Sequence, residues 1–222
     1  MAEQWQAAGD VWGSAIVLSQ RGQLRVLDGD LDGAARDIEE SRRALRRMGA
    51  GSDELLALIR LGDIEVRRGD LAAARSMAEA ATSWRAPAGR EHLRDLLVDV
   101  LRTQIALESG DPAELGAVRS HLVETLGRAP APDSLDAHPH AIAQASLALL
   151  ALAGDDLPAA LRATRTAHTL ALATADQPIA AAVGVAVAAV AHASARVDDG
   201  VPVDDAQRND ALAALREAAT LL

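Results

Sequence analysis

The chain has 222 residues, a formal net charge of −10, half its residues hydrophobic, and three aromatics, all tryptophan (Trp5, Trp12 and Trp84). All 22 basic residues are arginine, and Cys, Lys, Tyr and Phe are absent. These absences exclude disulfides, thiolate metal sites, thiol nucleophiles, a phosphate-loop lysine and a Schiff base, and the acidic, ring-poor balance argues against a nucleic-acid surface.

Met1 to Trp5 shows no basic region followed by an apolar run, so no secretory signal is read there, and a cytoplasmic location is expected. A short helix is expected over Ala2 to Ala8, closed by Gly9-Asp10. Two longer ones follow. Val11 to Leu27 carries Ala15, Leu18, Leu24 and Leu27 as its apolar stripe, and Leu31 to Met48 carries Ala34, Ile38, Ser41 and Leu45 at helical spacing.

Between these two helices lies Gly29-Asp30, and the same pair recurs at Gly69-Asp70, Gly110-Asp111 and Gly154-Asp155, at intervals of 40, 41 and 44 residues. A fixed period of this size marks a repeat array. Glycine supplies the left-handed conformation that ends one helix, and aspartate accepts backbone N–H bonds as the N-cap of the next. Asp111-Pro112-Ala113-Glu114 adds a proline at the first helical position and a capping-box acid. The repeating unit is therefore helix, tight turn, helix.

Longer connections are expected at Gly49 to Asp53, Ala86 to Arg90, Gly127 to Pro139 and around Gln177, with the proline-rich 128–139 stretch as the hinge. A degenerate last unit comprises Ile179 to Val197, an acidic loop from Asp198 to Asp205, and Ala206 to Leu222. Pro178 to Ala195 approaches the length of a membrane span, but alanine is weakly apolar and the flanks are acidic, so it reads as a buried helix. The expected fold is all-α, a right-handed α-α superhelix of about eleven helices forming one domain over 1–222. Its units fall at 11–48, 53–86, 90–127, 139–175 and 178–222, with 2–8 an orphan helix. The odd helix count suggests a piece of a longer protein.

Gly22 and Gly62 each lie seven positions before the turn glycine, Ala34 and Ala74 five after it, and Leu18 and Leu58 four before the first glycine. This framework resembles the tetratricopeptide repeat, in which small residues let paired helices approach closely. It weakens along the chain, where Thr103 and Leu147 replace the first glycine. With Gly9-Asp-Val-Trp-Gly13, Ala15 and Leu18, the sequence is similar to the C-terminal repeats of large actinobacterial transcriptional regulators of the Streptomyces antibiotic regulatory protein type or the MalT-like LuxR type. That resemblance implies a non-catalytic sensor or interaction region separated from a DNA-binding portion. It also implies a concave groove lined by the first helix of each unit. Ligand or partner binding is then expected at Gln23, Asp63, Arg67, Gln104, Glu108 and Gln144, whose amides and charges suit a peptide or small polar effector.

No cofactor, metal site or catalytic constellation is expected, and so no enzyme. His138-Pro139-His140 is placed in a loop, with only Asp133 and Asp136 nearby as further ligands. His168 and His192 are read as core or interface histidines. Arg42, Arg43, Arg46 and Arg47 read as a solvated face, with Glu39 pairing to Arg43; the sharper reading is contact with an acidic partner. Expected partners are a protein or peptide, a small polar effector, or other domains of a parent regulator. Neither membrane nor direct nucleic-acid contact is expected. A self-associating scaffold or homodimer is the alternative.

Overall fold

Several of the helices end in one recurring hydrogen-bonded turn, and this turn sets how they are joined. At Gly29 (φ +80°) the glycine N–H donates to Val26 O at 3.1 Å, and the Asp30 N–H to Arg25 O at 2.9 Å. This is the Schellman pattern, which satisfies carbonyls left over at a helix end. Asp30 then turns outward as the cap of the next helix, its carboxylate accepting from Gly33 N at 2.9 Å. The same turn forms at Gly69-Asp70, where Asp70 accepts from Ala73 N at 2.9 Å, and Asp111 caps Ala113 N at the same distance.

A computed structural model of the chain describes residues 10–86, 90–127, 137–174 and 177–196. Those residues are all-helical, in the order α1 (Val11–Leu27), α2 (Leu31–Arg47), α3 (Gly51–Arg68), α4 (Leu71–Thr82), α5 (Glu91–Ser109), α6 (Pro112–Thr125), α7 (Ala137–Ala153), α8 (Leu157–Thr174) and α9 (Gln177–Arg196). The expected helices at 2–8 and 206–222, the loop at 198–205 and most of the expected hinge lie outside the described residues. Among the described residues no helix is long and apolar enough to cross a membrane. Backbone contacts divide the chain into two compact units, Met1–Glu108 and Ser109–Leu222.

In the first unit α1 packs on α2 through the smallest side chains. A Cβ built on Gly22 would lie 2.6 Å from Ile38 Cγ1 and 3.2 Å from Ala34 O. Ser41 crosses the seam, its hydroxyl donating to Ala15 O at 2.7 Å. Arg21 closes the edge with two 2.6 Å bonds to the buried Asp37 carboxylate. Helix α3 packs on α2 through Ala34, Ile38, Ala57, Leu61 and Ile64, and on α4 and α5 through Leu55, Leu58, Ala81 and Val98. A Cβ on Gly62 would meet Leu101 of α5 at 2.4 Å. The two framework glycines thus serve different seams: Gly22 the paired helix, Gly62 the helix beyond it. Leu18, Leu58, Ile38 and Ala78 are all buried.

In the second unit α7 and α8 form the tightest pair and α9 packs against both. Its clusters are almost wholly Ala, Val and Leu: Ala141, Ala167, Ala171 and Val187 in one, Ala148, Ala160, Leu161 and Val190 in the other. Helix α9 is buried along one face, while Val185 is exposed.

Four expectations change. Leu24 and Leu27 are exposed (62% and 82%), so the α1 stripe does not continue through them. Leu24 lies nine residues, two and a half turns, after Ala15 and so on the opposite side; Gly22 carries the buried stripe instead. The connection at Gly49 is short, because α3 already begins at Gly51, and Gly49 (φ +70°) makes the same turn as Gly29. In the fourth Gly-Asp pair the register shifts by one: Asp155 takes the left-handed conformation (φ +55°) and Asp156 caps α8, accepting from Ala159 N at 3.1 Å. Finally, His138-Pro139-His140 is not loop but the first turn of α7. Proline is tolerated there because a first-turn N–H has no intrahelical partner to lose. His140 is buried, whereas His192 is exposed.

Two substitutions at equivalent turns should move stability in opposite directions. Gly69→Ala adds a Cβ that touches nothing within 4 Å, so its cost is backbone strain alone, about 1 kcal/mol. Asp155→Gly relieves such strain and should stabilise by up to about 1 kcal/mol. Urea unfolding followed by circular dichroism measures both; equal midpoints for all three proteins would contradict this assignment.

Candidate functional site

Helix α3 packs against both α2 and α4, and between those two flanking helices a cleft of about 830 Å³ remains open. The volume lies within the range of ligand sites. Its floor is apolar, made by Leu58 and Leu61 of α3 with Met77 of α4. Its α4 wall is made of small residues, Ala73, Ser76, Ala80 and Ser83, spaced at three and four positions so that they form one stripe. Its α2 wall is charged, carrying Arg36, Glu39, Arg42 and Arg46. Trp84 stands at one end, packed so closely on Gly51 that a Cβ there would lie 2.9 Å from the indole Cζ2. That contact explains a glycine in the first turn of a helix.

The charged wall is held by a network. Glu39 accepts from Arg42 Nε at 2.6 Å and from Arg43 Nε at 2.9 Å, so the expected pairing with Arg43 is present and a second one joins it. Arg46 Nε donates to Glu54 of α3 at 2.6 Å, and Arg42 Nη1 lies 3.6 Å from the same carboxylate. Glu54 is buried, and its bonds tie the α2 wall to the floor helix. The hydrogen bond from Arg42 holds the Glu39 carboxyl below its ordinary value, outweighing the opposing effect of burial, with Arg43 adding to it; the same bond raises Arg42. Arg36 and Arg47 are exposed and have no carboxylate partner among the described residues. The cleft therefore offers guanidinium donors, carboxylate acceptors and an apolar floor, which are the means of recognition.

The residues expected to bind stand elsewhere. Gln23 on α1 is half-buried and its amide donates within its own helix, to Ser19 O at 3.5 Å and Gln20 Oε1 at 3.3 Å. On α3, Asp63 and Arg67 are paired with each other at 2.8 Å. Gln104 is half-buried and Glu108 exposed on α5. None of these five lines the large cleft. In the second unit, Gln144 lines a smaller cleft of about 280 Å³ among α6, α7 and α8, with Arg119, Arg162 and Thr166. Arg119 is hydrogen-bonded to Asp156, and this bond, with that from Ala159 N, lowers the Asp156 carboxyl.

Arg60 is a residue that no motif in the sequence singles out. It reaches from α3 to the buried Ser19 hydroxyl on α1, and burial lowers its pKa against the raising influence of Asp53. One signal was present: Arg60 lies one turn before Asp63, on the face already singled out. No motif marks the large cleft either, although the α4 stripe of Ala and Ser and the α2 arginines were both visible. Among the described residues, no group of three or more His, Asp or Glu could hold a metal ion.

Replacing Glu39 with Gln tests the network through pH. A carboxyl lowered on folding contributes stability above its ordinary value of 4.5 and loses that contribution as pH falls through the lower folded value. The variant should be less stable than the parent by under about 1 kcal/mol at neutral pH, and the two should converge in acid. A stability difference that is the same at neutral and acid pH would refute the network.

Comparison with known proteins gave no matching family model, no matching curated protein and no matching solved structure.

Proposed function

We propose that this chain is a non-catalytic binding module that seats its ligand in the cleft walled by α2 and α4. The cleft itself carries the reading: an open volume of about 830 Å³ with an apolar floor, a wall of small residues and a wall of organised charge. A site of this kind recognises a partner by shape, apolar burial and charge-assisted hydrogen bonds. The helix pairs joined by Gly-Asp turns support a tetratricopeptide-like repeat continuing as a right-handed superhelix of about eleven helices. The resemblance to regulator C-terminal repeats supports a regulatory or sensing role inside a cytoplasmic transcriptional regulator. In this reading binding biases an effector region through the differential affinity of its two states.

The expected row on the first helices, Gln23, Asp63 and Gln104, is the rival seat in the first unit. Peptides selected from a displayed random library on the intact chain decide between the two surfaces. Ala80→Trp, at an exposed position on the small wall, should weaken the selected peptides at least tenfold. The combined Gln23→Ala, Asp63→Ala and Gln104→Ala variant should bind as the parent does. The reverse pattern moves the seat to the first helices, and insensitivity to both removes the reading.

A second reading, a self-associating scaffold, is favoured by the exposed Leu24 and Leu27 at the end of α1. Sedimentation velocity over a wide concentration range tests it. Concentration-dependent association abolished by Leu24→Glu with Leu27→Glu supports the scaffold, and a strict monomer excludes it.

A further inference from the structure

We infer that the occupant of the α2–α4 cleft is a single amphipathic helix of about three turns, with acidic residues along the flank that faces α2. The inference rests on the binding reading above and adds the class of partner.

Three features lead to it. The first is length. The α4 wall runs from Ala73 to Ser83 and the α2 wall from Ala35 to Arg46, each about 15 Å at the helical rise of about 1.5 Å per residue. That matches a helix of about eleven residues lying alongside, which could bury an apolar stripe on Leu58, Leu61 and Met77. The second is the α4 wall. Ala73, Ser76, Ala80 and Ser83 present almost no side chain, and interaxial distance falls as contact side chains shrink. The backbone of an incoming helix can therefore come close. The third is charge. Along the α2 wall and the smaller depression beside it stand five arginines, Arg36, Arg42, Arg43, Arg46 and Arg47. Glu39, Glu40, Glu54 and Glu65 offset four of them, which still leaves a positive excess on a chain of formal net charge −10. Glu65, at the other end, is already engaged by Arg68 at 2.7 Å. Arg36 and Arg47, exposed and without carboxylate partners among the described residues, are the cations an incoming acidic flank meets. A basic wall on an acidic protein attracts acidic partners that the rest of the surface repels, and repels basic ones that the rest attracts.

The test is a displayed library of helical peptides of about eleven residues, with a fixed Ala/Leu face and Glu, Gln or Lys allowed at each flank position, selected on the intact chain. Glu should be enriched several-fold over Lys at positions along one flank. The enriched peptides should lose at least tenfold in affinity on the Arg36→Glu, Arg47→Glu variant and weaken as salt rises. They should also fail on Ala80→Trp, with far-ultraviolet circular dichroism confirming that each variant keeps its helices. Enrichment of Lys, or of neither charge, among peptides still sensitive to Ala80→Trp overturns the acidic partner and leaves the cleft as the binding seat. Selection of no peptide sensitive to Ala80→Trp overturns both.

Discussion

Close approach of helices over glycine and alanine is the constraint from which the rest of this structure follows. With three aromatics in 222 residues, large rings are too few to fill wide gaps between helices, Trp84 against Gly51 being the exception, so most buried contacts form where backbones come near. Gly22 seats Ile38 and Gly62 seats Leu101 at distances that leave no room for a methyl group. Such a core draws its stability from many small dispersion contacts and has little tolerance for added volume.

The same constraint accounts for the cleft. Helix α3 presents medium-sized residues to both sides, but α4 faces outward with alanines and serines that cannot reach α2. The space between them is left to the partly buried Met77 and to arginines whose guanidiniums are drawn to Glu39 and Glu54. The cleft is thus a consequence of composition, and its charge is positioned by ion pairs that also brace it. A buried glutamate tied to the arginine wall makes that wall part of the fold, so the charge of the cleft and the stability of the helices share residues.

Much of the fold was legible in the sequence, because turns are encoded locally. The left-handed glycine and the capping aspartate are adjacent residues with backbone consequences, and Gly29-Asp30, Gly69-Asp70 and Gly110-Asp111 behave accordingly. Features that depend on less local structure are not encoded this way. Gly154-Asp155 looks like the other pairs, yet α7 continues one residue further and Asp155 itself turns left-handed, with the following aspartate available as cap. Leu24 and Leu27 looked like core because they are leucines, although their helical angle places them away from Ala15. The site was less legible still. Asp63 and Arg67 seemed free to bind but satisfy each other, and the cleft depends on the spacing of three helices, which no short motif records.

If a partner sits in the cleft, methionine methyl groups offer the most direct view of it. The chain has three methionines; Met77 lies on the cleft floor, while Met48 stands outside the cleft lining at the end of α2. Carbon-13 methyl spectra of the intact protein, titrated with a peptide selected on it, should show the Met77 signal shifting to saturation and by more than the Met48 signal. A saturable binding event that leaves the Met77 signal unmoved would contradict the account.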